Sequence, residues 1–191
     1  MTAMAGTLLP GGADPDTYRG LPALYGFVNA DGELTRYNCG QAAACTLLTQ
    51  AHAVPPAADP QAACALMAAV EAAHPPDNLF GWFGTSRRRV ERICLAHGIE
   101  LDEVHGEDEL RHALAAGRPA ALMVELPGPV VWRWRAPVGH WMVAYGYDDR
   151  QVFLSNCGGP GMPWDEFRRA WGGLVPRLIS MRNTGLVART S

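Results

Sequence analysis

The chain has 191 residues, of which 48% are hydrophobic and 18% charged, with a formal net charge of −3. That is enough for one full core, too apolar for a disordered chain, and too weakly charged to recruit a nucleic acid or an anionic membrane. All 16 basic residues are arginine, which excludes a phosphate-loop lysine, a lysine Schiff base and a Ser–Lys dyad.

No apolar run approaches the roughly 20 residues that cross a bilayer. The opening "MTAMAGTLLPGGADPD" has neither the basic stretch nor the long apolar stretch of a secretory signal. The five cysteines, at 39, 45, 64, 94 and 157, are odd in number and lack CxxC spacing. Reduced thiols in a cytoplasm are therefore expected, with no disulfide framework, zinc site or other cofactor.

Residues 1–20 are dense in glycine and proline and read as an irregular arm, leaving 21–191 as a single domain. Asn38 precedes a helix that runs to about His52, with Gln41 at capping-box spacing. "DPQAACALMAAVEAAHPP" opens with an Asp59 cap and Pro60, and places Ala63, Leu66, Met67 and Val70 on one face. "TSRRRVERICLAHG" and "EDELRHALAAGRP" are two further helices, closed by Gly98 and Gly117. After Pro119 the period changes. Residues 120–126, 140–148, 151–156 and 174–182 read as strands, with a short helix at 164–171. Helices first and strands after predict an α+β domain with a cleft between the halves.

Cys39 falls in the first turn of the first long helix. A thiolate is favoured there by unpaired backbone N–H groups and the macrodipole, and Gly40 would leave the backbone open to a carbonyl. Cys45, Cys64 and Cys94 lie within helical apolar patterns and belong to the core. A thiol nucleophile needs a base. His52, His74, His105 and His112 sit at helix ends or on polar faces, and His97 falls on an apolar stripe or at a C-cap. His140 instead opens a strand directly after Gly139. If Tyr147 pairs with Gln151 across the hairpin, Met142 stands opposite Asn156 and His140 becomes a diagonal neighbour on the same face. The asparagine side chain could then accept from Nδ1–H and leave Nε2 to face the thiol.

"YNCGQAAA", then "GHWMVAYGYDD", then "VFLSNCGGPG" followed by "WDEFRRAW" resemble the papain-like cysteine peptidases. The nearest likeness is to the bacteriocin-processing, double-glycine peptidases and their stand-alone relatives. The resemblance spans most of residues 36–172. It implies a papain-like fold in which the catalytic helix packs on a C-terminal antiparallel sheet. It also implies Cys39 as nucleophile, His140 as base, Asn156 as the orienting residue, no cofactor, and a peptide or protein substrate. The family usually carries a glutamine six residues before the cysteine, whose amide donates to the oxyanion; here that position is Glu33, and an ionised carboxylate cannot donate. The Cys39 N–H, Asn38 and Gln41 are the candidates to take over that task. The resemblance therefore leaves open a hydrolase, an acyl transferase of transpeptidase or transglutaminase type, and a binding module without turnover. "VVWRWRAP" reads equally as a cleft rim, with Trp132, Trp134, Gly139 and Trp141 at the substrate, and as a half-buried strand. "LLPGG" at 8–12 looks like a double-glycine site but reads better as a flexible arm.

Overall fold

The structure, a computed structural model, describes residues 6–28, 37–77, 84–131, 134–156 and 161–189, with backbone alone at 128–131 and 134–136. Three strands come first: β1 (Gly6–Pro10), β2 (Arg19–Gly20) and β3 (Ala23–Phe27). Three helices follow: α1 (Cys39–Gln50), α2 (Pro60–Ala73) and α3 (Arg87–Ala96). Then come β4 (Leu101–His105), α4 (Gly106–Ala115), β5 (Ala120–Val131), β6 (Trp134–Tyr147), β7 (Gln151–Leu154) and β8 (Gly161–Pro163). The described chain ends with α5 (Trp164–Trp171), α6 (Leu174–Leu178) and β9 (Thr184–Ala188).

The architecture is the expected α+β arrangement, a helical half packed on an antiparallel sheet. The sheet runs β4-β9-β5-β6-β7-β8, and β2 pairs with β6. Its strands alternate strictly, because successive side chains leave a strand on opposite faces. Ala121, Met123, Trp141, Val143 and Tyr145 meet α1 and its helical neighbours in one core. Ala120, Leu122, Val124, Met142 and Ala144 meet α4 and α5 in the other. Burying both faces makes β5 and β6 continuous apolar runs.

Local signals set the helix ends. Asp59 accepts the Ala62 N–H at 2.8 Å with Pro60 following, and the Ser86 side chain accepts from Arg89 N–H. Gly98 and Gly117 take φ of +78° and +72° just past α3 and α4, the left-handed turn that glycine enters without strain.

Three expectations are corrected. Residues 1–20 are not an irregular arm throughout: β1 pairs with β3 and β2 with β6. The glycines of "LLPGG" are packing residues, since a Cβ on Gly12 would lie 2.3 Å from the Tyr18 ring and one on Gly11 2.8 Å from the Leu21 carbonyl oxygen. Residues 174–182 hold α6, not a strand. Pro176 sits in its first turn, where the missing N–H costs nothing, and Leu174, Val175, Leu178 and Ile179 recur at helical spacing. The final strand is instead "TGLVA" at 184–188, inserted between β4 and β5; a Cβ on Gly185 would lie 2.8 Å from Leu122 Cδ2. Third, Asn38 makes no side-chain cap to α1, so the capping box with Gln41 does not form.

Candidate active site

The hairpin of β6 and β7 builds one wall. Tyr147 pairs with Val152, one residue off the expected register, but a bulge at Tyr145 shifts the ladder so that Ala144 pairs with Leu154. The shift restores the alignment that puts Asn156 beside Met142. The Val143 carbonyl accepts from Ser155 N–H at 2.9 Å, so the odd-numbered backbone groups of β6 face β7. Asn156 then takes φ of +59° and turns the chain away. The Trp141 N–H, on the same edge of β6, lies close enough to the Cys39 sulfur to favour its thiolate. That nitrogen is two bonds from His140 Cα, so the start of α1 meets the middle of β6; His140 does not open its strand as expected, because β6 already begins at Trp134 and pairs with β5.

His140 Nε2 donates to the Asn156 backbone carbonyl at 2.8 Å. A carbonyl only accepts, so Nε2 carries the proton and Nδ1 keeps its lone pair. This reverses the expected ring orientation and replaces the expected side-chain acceptor. The Asn156 amide Nδ2 donates instead to the Trp141 carbonyl at 3.3 Å, tying the turn to β6. The left-handed φ of Asn156 is what aims its carbonyl at the imidazole, a conformation that asparagine tolerates better than most residues.

Cys39 is buried at the head of α1, with 7% of its surface exposed. Burial pushes its thiol above the usual value, although the N–H groups of Trp141, Gly40 and Cys39 itself pull the other way. The helix start was expected to win; desolvation outweighs it. Burial also lowers His140, against the stabilising bond to Asn156. Both shifts favour the neutral thiol and neutral imidazole over an ion pair in the resting site.

The remaining candidates separate. Gln41 is fully buried, its Nε2 donating to the His74 carbonyl at 2.8 Å and its Oε1 accepting from Thr85 Oγ1 at 2.7 Å. Asn38 Nδ2 donates to Glu71 Oε2 at 2.9 Å. Both amides are thus engaged in holding α1, and of the three candidates only the Cys39 N–H is not committed to such a bond. Trp141 is fully buried, its Nε1 donating to the Thr85 carbonyl at 2.7 Å, so it braces the wall and does not line it. Gly139 is a packing glycine, since a Cβ there would fall 2.7 Å from Val175 Cγ1. Gly40 is likewise filled from outside: its Cβ position lies 2.4 Å from Thr85 Cβ, so it accommodates a neighbouring loop and not a substrate carbonyl. Glu33, Trp132 and the side chain of Trp134 lie outside the described residues.

The segment Gly84–Thr85 was missed by sequence reasoning. Gly84 has φ of +80° and its Cβ position is 3.9 Å from Cys39 Sγ, so this turn forms the second wall beside the sulfur. A glycine-threonine pair just before the Ser86 cap was the only available signal. Among the described residues no cluster of ligands could hold a metal ion, and no helix is long and apolar enough to cross a membrane.

No family model and no curated protein matches this chain. A crystal structure from Bacillus anthracis, described as a C39-like peptidase, aligns with a TM-score of 0.53 over 81% of this chain and 90% of that one, at 12% identity. The fold is that of the C39-like peptidases. The peptidase domain of Streptococcus ComA, a bifunctional ABC transporter of a quorum-sensing pathway, aligns at 15% identity over 83% of this chain and 96% of that one, with a TM-score of 0.49. In the C39-like fold of this chain, the helix carrying Cys39 and the hairpin carrying His140 and Asn156 meet edge to end, an arrangement suited to acyl transfer through a thiol.

Proposed function

We propose that this chain is a cysteine peptidase or amidohydrolase, with Cys39 as nucleophile, His140 as general base and acid, and Asn156 as the residue that holds the imidazole. One observation carries the reading: the sulfur lies against the peptide between His140 and Trp141, while the His140 ring is pinned through Nε2. Nδ1 is the nitrogen left to exchange a proton with the thiol. Cys39 Sγ attacks the scissile carbonyl carbon as its proton passes to His140 Nδ1. The oxyanion forms beside the Cys39 N–H at the head of α1. Collapse breaks the C–N bond, and His140 returns the proton to the leaving amine. Water, deprotonated by the same nitrogen, then opens the thioester and frees the thiol; an amine in its place makes the enzyme a transferase.

The proposed unit is a single domain that includes β1, a choice supported by the pairing of that strand with β3. Its free thiols, Cys39, Cys45, Cys64 and Cys94, suit a reducing compartment such as the cytoplasm. The test is a digest of a diverse peptide mixture, with new termini identified by mass spectrometry. Cys39→Ala should abolish cleavage by about a thousandfold or more, as removal of a covalent nucleophile does; equal cleavage by parent and variant would end the proposal.

The raised Cys39 thiol and lowered His140 imidazole favour a second reading, a peptide-binding module without turnover. It predicts that the parent retains peptides intact, and that Cys39→Ala retains them equally well.

A further inference from the structure

Asn38 occupies the N-cap position of α1, where an asparagine side chain ordinarily turns back to accept an N–H of the first turn. It does not do so here. The residue is fully buried, its Nδ2 donates to Glu71 Oε2 across the interface with α2, and its Oδ1 has no partner among the described residues. A missing cap and a buried, unsatisfied oxygen both cost stability. The fold accepts the two together, and the benefit falls on the other side of the helix end. The first-turn N–H groups of Cys39 and Gly40 are left uncapped by the asparagine side chain, and both favour the Cys39 thiolate.

Glu71 is the one charged side chain among the buried residues described, and it follows Val70 on the face of α2 that packs inward. A carboxylate in such a place needs donors, and Asn38 supplies one. We propose that Glu71 is a positioning residue for the thiol chemistry: by holding the Asn38 amide in the α1–α2 interface, it keeps Asn38 from capping α1 and reserves the first-turn N–H groups for the sulfur and for the oxyanion built on it. The oxyanion half of this inference rests on the peptidase reading. The sulfur half does not, so the test reads the thiol alone.

The experiment measures iodoacetamide alkylation at Cys39, resolved by mass spectrometry, as a function of pH, together with the melting temperature. It uses the full chain as parent, Glu71→Gln, Glu71→Leu, Asn38→Ala and the Glu71→Leu/Asn38→Ala double variant. Glu71→Gln keeps an acceptor for Asn38 Nδ2 and should stay within about twofold of the parent. Glu71→Leu frees Asn38 to cap, so alkylation at fixed pH should fall about tenfold as the profile moves up by roughly one pH unit. The double variant should recover to within about twofold, because alanine cannot cap. A purely structural Glu71 would lower the melting temperature and leave the profile in place. The inference is overturned if the Glu71→Leu profile superimposes on the parent's, or if the double variant is as impaired as Glu71→Leu. Should Glu71→Leu fail to fold, Asn38→Ala decides: a profile unchanged from the parent supports the inference, and one displaced upward by a unit overturns it. A parent that cleaves no peptide would sink the proposed function and leave the comparison of profiles intact.

Discussion

The first turn and the middle of α1 hold one cysteine each, and the two share a helix, a core and a direction of shift. Cys45 is fully buried and its thiol is pushed up to about 12 by burial, with Cys94 nearby adding to the effect. Cys39 is nearly as buried, yet three backbone N–H groups oppose the shift. Inside a helix every N–H is taken by the carbonyl four residues back; only the first turn has N–H groups to give. Burial alone therefore does not distinguish a core cysteine from a candidate nucleophile. Access to unpaired backbone donors does, together with a neighbouring strand whose partner has turned away.

The sharpest way to break that comparison is native-state alkylation of both sites. Cys45 should react only through opening of the core, at least about a thousandfold more slowly than Cys39. The Cys39 rate should climb with pH through and beyond the ordinary thiol value of 9.0, since its pKa is raised. Equal rates at the two sites would remove the distinction, and a Cys39 rate already at its plateau near pH 6 would show an ion pair instead of the neutral pair.

Gly40→Ala comes next in size. Alanine favours a helix by up to about 1 kcal/mol, but here its methyl would meet Thr85 Cβ at 2.4 Å. Thr85 cannot yield, being bonded to Gln41 and Trp141. A net loss of about 1–3 kcal/mol is expected from chemical denaturation; an unchanged or increased stability would show that the second wall is free to move.

A smaller effect is expected from His140 and pH. Its pKa is lowered from 6.5, so the unfolded chain binds the proton first and stability falls as pH drops below that value. His140→Gln should flatten the loss between about pH 7.5 and 5.5 by up to roughly 1.4 kcal/mol per pH unit. His74, lowered in the same direction, leaves a residual slope. Asp77, Glu103 and Glu107 are lowered carboxylates and lose their contribution only at more acid pH. A parent and variant with identical slopes would place His140 in water.

The smallest change expected is from Asn156→Gly. Glycine accepts the left-handed φ and keeps the carbonyl that bonds His140, while the amide bond to Trp141 is lost. Peptide cleavage should stay within about fivefold of the parent, the worth of one modest hydrogen bond. A loss beyond a hundredfold would return the orienting role to the side chain.

Much of the fold was legible because its signals are local. Asp59 with Pro60, Ser86, Gly98 and Gly117 each act within a single turn. The apolar runs of β5 and β6 announced strands, though not that both faces are buried. At 174–182 the same kind of apolar run misled, because period 2 and period 3.6 are hard to separate over so few residues, and Pro176 in a first turn resembles Pro in a broken strand. The hairpin register was misjudged at its turn and rescued by the bulge at Tyr145, a compensation that no pattern in "AYGYDDRQV" announces.

The sequence by itself determined helices α1 to α5, the strands β5 to β7, the cysteine at the head of α1 and the asparagine sixteen residues after the histidine; that histidine, expected to open its strand, lies in the middle of β6. Tertiary structure alone decided that the imidazole is held by a backbone carbonyl through Nε2, that Asn38 and Gln41 brace α1 instead of serving an oxyanion, and that Glu71 lies buried behind them. The reason is physical. A cap or a turn is satisfied by atoms a few residues away, whereas a buried polar group takes whichever partner the packing of distant elements brings within reach.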